Sequence, residues 1–166
     1  MTRGIRNNNP LNIRRNPANQ WQGLRPVQAD KSFCQFKAMK WGLRAAIKLL
    51  DNYIRRGAQT PRQIISRWAP PTENDTASYV RKACQRAGLD PDEPVISWKS
   101  LRSLVQAMCW IESQYAPPVG ILEEAHRLAE RPSPNPGPEL SSQSLTPNLR
   151  LPCGRQSLRF YRAIAL

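Results

Sequence analysis

With 166 residues, 40% of them hydrophobic and 22% charged, the chain is sized for one domain with a real core plus a short appendage, and two large domains are excluded. No apolar run approaches the roughly 20 residues that span a bilayer. The formal charge of +13 points to an anionic partner: nucleic acid, anionic lipid or bacterial envelope polymer. Residues 1–90 carry 17 basic and 5 acidic side chains, so the basic face belongs to the N-terminal half.

In chain order, residues 1–40 hold Asn7-Asn8-Asn9-Pro10, Asn16-Pro17 and Arg25-Pro26, a pattern of turns and short extended pieces that predicts a loop or hairpin lobe. From Lys40 to Arg56 the apolar residues recur at helical spacing, and Gly57 supplies a stop. Thr60-Pro61 pairs a capping hydroxyl with a proline at the first helical position, starting a short helix that Pro70-Pro71 ends. Asn74-Asp75-Thr76 caps a helix running to Ala87, closed by Gly88. Ser97 caps another that reaches Ser113, and a last helix spans Gly120 to Glu130, giving about five helices. Residues 131–152 read as a Pro/Ser-rich linker and 153–166 as a short tail whose apolar residues suit a docking helix, leaving 1–130 as the globular domain.

The first residues show no apolar secretory core, so an extracytoplasmic target implies delivery by other machinery. Cys34, Cys84, Cys109 and Cys153 are scattered without CxxC spacing, which argues for reduced, structural thiols and against zinc. A lone His126 among acidic neighbours makes Cys/His or Ser/His/Asp catalysis improbable, and neither a phosphate loop nor a dinucleotide fingerprint is present. No metal and no cofactor are expected.

Carboxylate chemistry remains. Glu112 follows the apolar run Leu104 to Ile111, near the C-terminal end of a helix whose dipole disfavours an anion and raises the carboxyl pKa, as a general acid requires. An exposed acid at a frayed helix end is the plainer alternative. The segment Arg67 to Tyr79 places Glu73 and Asp75, the amide of Asn74 and hydroxyls between Trp68 and Tyr79, a mixture suited to a sugar. The plainer alternative there is a capped loop in which Asp75 or Asn74 satisfies backbone donors.

Asn7-Asn8-Asn9-Pro10-Leu11-Asn12-Ile13-Arg14, Trp21-Gln22-Gly23, Phe33-Cys34-Gln35-Phe36 and Trp41-Gly42-Leu43-Arg44-Ala45, with Arg67-Trp68-Ala69-Pro70-Pro71 and Glu73-Asn74-Asp75-Thr76, resemble a family of phage and prophage proteins labelled virion structural proteins. The same order of features resembles the N-acetylglucosaminidase modules that cut peptidoglycan, in which the helix bearing the catalytic Glu precedes the Asn-rich segment. Here Ala107 to Tyr115 resembles the Glu-Ser helix of lytic transglycosylases, displaced to the C-terminal side, and a circular permutation would bring Glu112 beside the Asn-rich lobe.

The resemblance implies a mostly α, lysozyme-like α+β fold. It also implies a phage-derived protein cleaving the glycan strand, with Glu112 as acid and Glu73 or Asp75 orienting water or stabilising charge. Asn9, Asn12, Trp21, Trp68, Asn74 and Tyr79 would bind the sugar; alternatively Glu112 alone acts as acid and then base. Expected partners are peptidoglycan or another anionic envelope polymer and virion proteins, with the protein virion-associated or delivered to the periplasm by phage or lysis machinery. Two other readings stand beside this one: a non-enzymatic virion or assembly component, and a nucleic-acid binder using Arg3, Arg6, Arg14, Arg15 and Arg25 around Trp21.

Overall fold

The computed structural model describes residues 1–72 and 74–131. The sequence of elements is α1 (Arg3–Arg6), α2 (Met39–Arg55), α3 (Pro61–Trp68), α4 (Thr76–Ala87), α5 (Trp98–Ser113) and α6 (Val119–Glu130). Glu73, the linker beyond Arg131 and the tail with Cys153 lie outside the described residues. Among the described residues no helix is long and apolar enough to cross a membrane.

Three of the helices begin on a capping side chain. Thr60 and Gln63 form a reciprocal capping box at α3, Thr60 Oγ1 accepting from the Gln63 N–H at 3.3 Å and Gln63 Oε1 accepting from the Thr60 N–H at 3.2 Å. The Asp75 side chain accepts from Ser78 N–H to cap α4, whose far end closes on Gly88 at φ 65°. Ser97 caps α5.

The helices bury one face each into a common core. α2 contributes Leu43, Ala46, Ile47 and Leu50, α3 Ile64 and Ile65, α5 Leu104, Val105 and Met108, and α6 Leu122 and Ala125. Leu11, Ile13 and Phe36 from the N-terminal lobe join the same cluster, so lobe and helices share one interior. α2 packs along α6 and holds its C-terminal end: Arg44 Nε donates to the Leu128 carbonyl at 3.0 Å and Lys48 Nζ to that of Ala129 at 3.4 Å. Two cations there oppose the negative end of the α6 dipole.

The N-terminal lobe (residues 1–38) is built with amide side chains in place of strands. Its pairing is confined to two isolated antiparallel bridges, Arg14 with Phe33 and Leu24 with Phe36. Asn9 Nδ2 donates to the carbonyls of Ile13 and Cys34, both at 2.9 Å, while its Oδ1 accepts from Ile13 N–H. Gln28 makes the same two-way exchange with the Gln35 backbone. Side-chain amides reproduce the donor-acceptor pattern of a ladder and satisfy backbone groups that a loop would otherwise leave unpaired.

Gly42 sets how closely α2 can approach this lobe. A Cβ there would lie 2.0 Å from the Asn8 carbonyl oxygen, which is backbone and cannot swing aside. Gly42→Ala is therefore expected to destabilise the fold by about 1–3 kcal/mol, read from denaturant unfolding. A variant as stable as the parent would show that the lobe is free to move off α2.

Candidate active site

The last turn of α5 is fastened to the Asn-rich loop. Ser113 is buried and its Oγ donates to the Pro10 carbonyl at 2.7 Å, while Thr2 Oγ1 donates to the Ser113 carbonyl at 3.1 Å. α1 can come this close because residue 4 is glycine: a Cβ there would stand 2.1 Å from Ser113 Oγ. These contacts deliver Glu112 to the loop that carries Asn12.

Three side chains from three parts of the chain then meet the Glu112 carboxyl. Tyr79 Oη donates to Oε1 at 3.1 Å and Trp68 Nε1 to the same oxygen at 3.4 Å, whereas Asn12 Nδ2 donates to Oε2 at 3.3 Å. Tyr79 and Trp68 are 4% and 7% exposed, so Oε1 faces the core. Oε2 is on the Asn12 side, and Asn12 and Glu112 both line a pocket of about 300 Å³ together with Thr2, Arg3, Phe33 and Gln114.

Burial dominates the electrostatics. It pushes the Glu112 carboxyl up from its ordinary 4.5 to about 7, against the smaller, opposing pull of the Asn12, Tyr79 and Trp68 hydrogen bonds. Burial, reinforced by the neighbouring Glu112 charge, lifts the Tyr79 phenol well above its usual range, so Tyr79 stays neutral and remains a donor. The site thus holds a carboxyl half protonated near neutral pH. Because Oε1 already accepts two hydrogen bonds, the acidic proton belongs on Oε2.

Arg3, which lines the pocket, is held by an ion pair. Asp30 takes the Arg3 guanidinium through two bonds of 2.7 and 2.6 Å and accepts from Asn7 Nδ2 at 2.7 Å. That pairing with Arg3 holds the Asp30 carboxyl far below the usual carboxylate range. The Arg3 guanidinium also lies 4.6 Å from the centre of the Phe33 ring.

The predicted site residues divide into two groups. Glu112, Asn12, Trp68 and Tyr79 come together, although Trp68 and Tyr79 hold the acid where a sugar-stacking role had been expected. Asn9 does not face the pocket: it is 0% exposed and its amide is spent on Ile13 and Cys34. Asp75 accepts from the Ser78 N–H and caps α4, the backbone donor role of the plainer alternative, while Asn74 Nδ2 donates to a backbone acceptor, the Pro70 carbonyl. Trp21 lines a separate cavity between α2 and α6 beside His126. Among the described residues no three His, Cys, Asp or Glu side chains gather as a metal site, and Cys34, Cys84 and Cys109 are buried free thiols.

Gly4, Thr2 and Ser113, which brace the acid, and Phe33, which lines its pocket, are not among the expected site residues, and Arg3, expected only as a nucleic-acid contact, lines the pocket too. The available signal was the closeness of Gly4 to the Asn cluster and the serine directly after Glu112. Gln114, which ends α5, adopts φ 55°, a left-handed conformation that favours glycine. Gln114→Gly is expected to raise stability by about 0.5–1 kcal/mol, since relief of the left-handed strain exceeds the added chain entropy. Thermal unfolding checks this, and a fall in the melting point would mean that the Gln114 side chain contributes more than its backbone costs.

No protein-family profile matches the chain. It is, however, 34% identical over 114 residues to "Protein P5" of Pseudoalteromonas phage PM2, an alignment that spans 67% of this chain and 71% of the phage protein. The chain belongs to the same family as that phage protein. A phage protein family accords with the first of the expected resemblances.

Proposed function

We propose that this member of the P5 family is a peptidoglycan-targeting phage protein that cleaves the glycan strand by acid/base chemistry at Glu112. The observation that carries the reading is the Glu112 carboxyl itself, desolvated to a pKa of about 7 on a residue that lines a pocket with Asn12. Protonated Glu112 donates from Oε2 to the glycosidic oxygen as the bond to the anomeric carbon breaks. The resulting carboxylate, held by Tyr79, Trp68 and Asn12, offsets the oxocarbenium-like charge and then takes the proton of the incoming nucleophile.

Asp75 is committed to capping α4, so Glu112 acting first as acid and then as base is the favoured route, with Glu73 the other candidate carboxylate. If the nucleophile is the C6 hydroxyl of the muramyl ring, the product is a 1,6-anhydro sugar; if it is water, a new reducing end appears. The approach of Asn12 to Glu112 supports the circularly permuted, lysozyme-like reading of the fold. Family membership supports a virion-associated protein carried to the envelope by the phage particle or by lysis.

Mass spectrometry of purified peptidoglycan incubated with the protein tests the proposal. Anhydro-muropeptides or new reducing ends support it and name the chemistry. Intact glycan, with the protein nevertheless pelleting with the cell wall, would replace it with a binding or virion-structural role.

A further inference from the structure

A second groove adjoins the Glu112 pocket. It has a volume of about 490 Å³, lies between α4 and α5, and is lined by Lys82, Gln85, Arg86, Trp110, Ile111 and Gln114. Ile111 and Gln114 also line the Glu112 pocket, so the two cavities are immediate neighbours on either side of the last turn of α5.

The groove has the chemistry of a ring-bearing anion site. Trp110, 38% exposed, is the one exposed aromatic side chain among the described residues, and it stands two positions before Glu112 on the same helix. The Arg86 guanidinium sits 4.0 Å from the centre of the Trp110 ring. Stacking fixes a flexible cation in place and leaves its N–H edge free for an anion. Lys82 adds a second exposed cation, Gln85 and Gln114 supply exposed amides, and the lining contains no carboxylate.

We propose that this groove is a glycan subsite that takes a carboxylate-bearing N-acetyl sugar, the muramyl unit with its acidic peptide stem, next to the bond cleaved at Glu112. Trp110 covers the apolar C–H edge of the sugar, Gln85 and Gln114 meet the acetamido group, and Arg86 with Lys82 pairs the carboxylate. The inference rests on the glycan-cleaving reading of the Glu112 pocket and adds to it which sugar unit lies on which side.

Calorimetric titration of the Glu112→Gln protein, which prevents turnover, with two soluble probes tests it: an uncross-linked muropeptide tetrasaccharide and a neutral N-acetylglucosamine tetramer. In that background Trp110→Ala is expected to weaken both probes about tenfold, whereas Arg86→Gln weakens the muropeptide about tenfold and leaves the neutral tetramer within about twofold. Both side chains are exposed, and unchanged melting points confirm that the variants fold. Unaltered affinity for both probes in both variants overturns the subsite, as does failure of the Glu112→Gln protein to bind either probe. Product analysis with the unsubstituted protein separates the two claims. Cleavage with Trp110-independent binding removes the subsite alone, and Trp110-dependent binding without products keeps the subsite and removes cleavage.

Discussion

Glu112→Gln is expected to slow glycan cleavage by about a thousandfold, the scale of a lost general acid, while leaving the fold intact. Glutamine preserves the length of the side chain and its carbonyl can accept from Tyr79 and Trp68; its amide nitrogen takes the place of Oε2, so the transferable proton disappears and the Asn12 amide must turn its own oxygen to meet it. The same substitution alters stability in the opposite sense. The folded-state pKa of Glu112 is raised from 4.5 to about 7, so its contribution to stability is full below pH 4.5 and is lost as pH climbs through 7. Above that, the native protein carries a desolvated anion that the glutamine variant lacks. The variant should therefore melt higher than the parent at pH 8 and lose this advantage near pH 4.5. A variant that is inactive and also less stable at pH 8 would mark Glu112 as a structural residue.

Tyr79→Phe is expected to move the pH profile without abolishing activity. The Tyr79 hydrogen bond favours the Glu112 carboxylate and pulls its pKa down, so removing it lets burial push the pKa further up. Since the reaction needs the protonated acid, activity falls as pH rises through about 7 in the parent. In Tyr79→Phe that alkaline limb should shift upward by about one pH unit, with a reduced maximum because the carboxyl is less firmly held. Trp68→Phe should shift it in the same direction and less, as its contact with Oε1 is longer. An alkaline limb that stays in place in both variants would show that the pH dependence belongs to another group.

Much of this fold was legible in the chain because its helices announce themselves. Thr60-Pro61, Asp75, Gly88 and Ser97 are local signals, and each marks a helix end in the structure. α1 gives no such signal, so about five helices were expected and six are present among the described residues. Four residues are too few to show a period, and Arg3–Arg6 forms because it packs on α5 through Gly4. The N-terminal lobe was expected to be loops or a hairpin and holds only two isolated bridges, and nothing in the order of residues said that the Asn9 and Gln28 side chains would do the work of strands.

The site was legible to the level of residue type and not of orientation. Asn9 and Asn12 look interchangeable in the sequence, yet one is buried in the lobe and the other, at φ 52°, meets Glu112. Trp68 and Tyr79 were expected to face a sugar because the loop between them is polar; the packing of α3 and α4 against α5 turns them inward onto the acid. The raised pKa of Glu112 was anticipated from the helix dipole, whereas burial causes it. Burial depends on residues about 30 to 100 positions away, and no local pattern carries that information.

The whole account turns on one carboxyl being protonated at neutral pH. Carbon-13 NMR titration of the side-chain carboxyls, with the Glu112 resonance assigned by its absence in Glu112→Gln, measures this directly. The account predicts a midpoint for Glu112 of about 7. A midpoint at the ordinary glutamate value of 4.5 would mean that the carboxyl is an anion throughout the physiological range, and the acid catalysis proposed for it would be wrong.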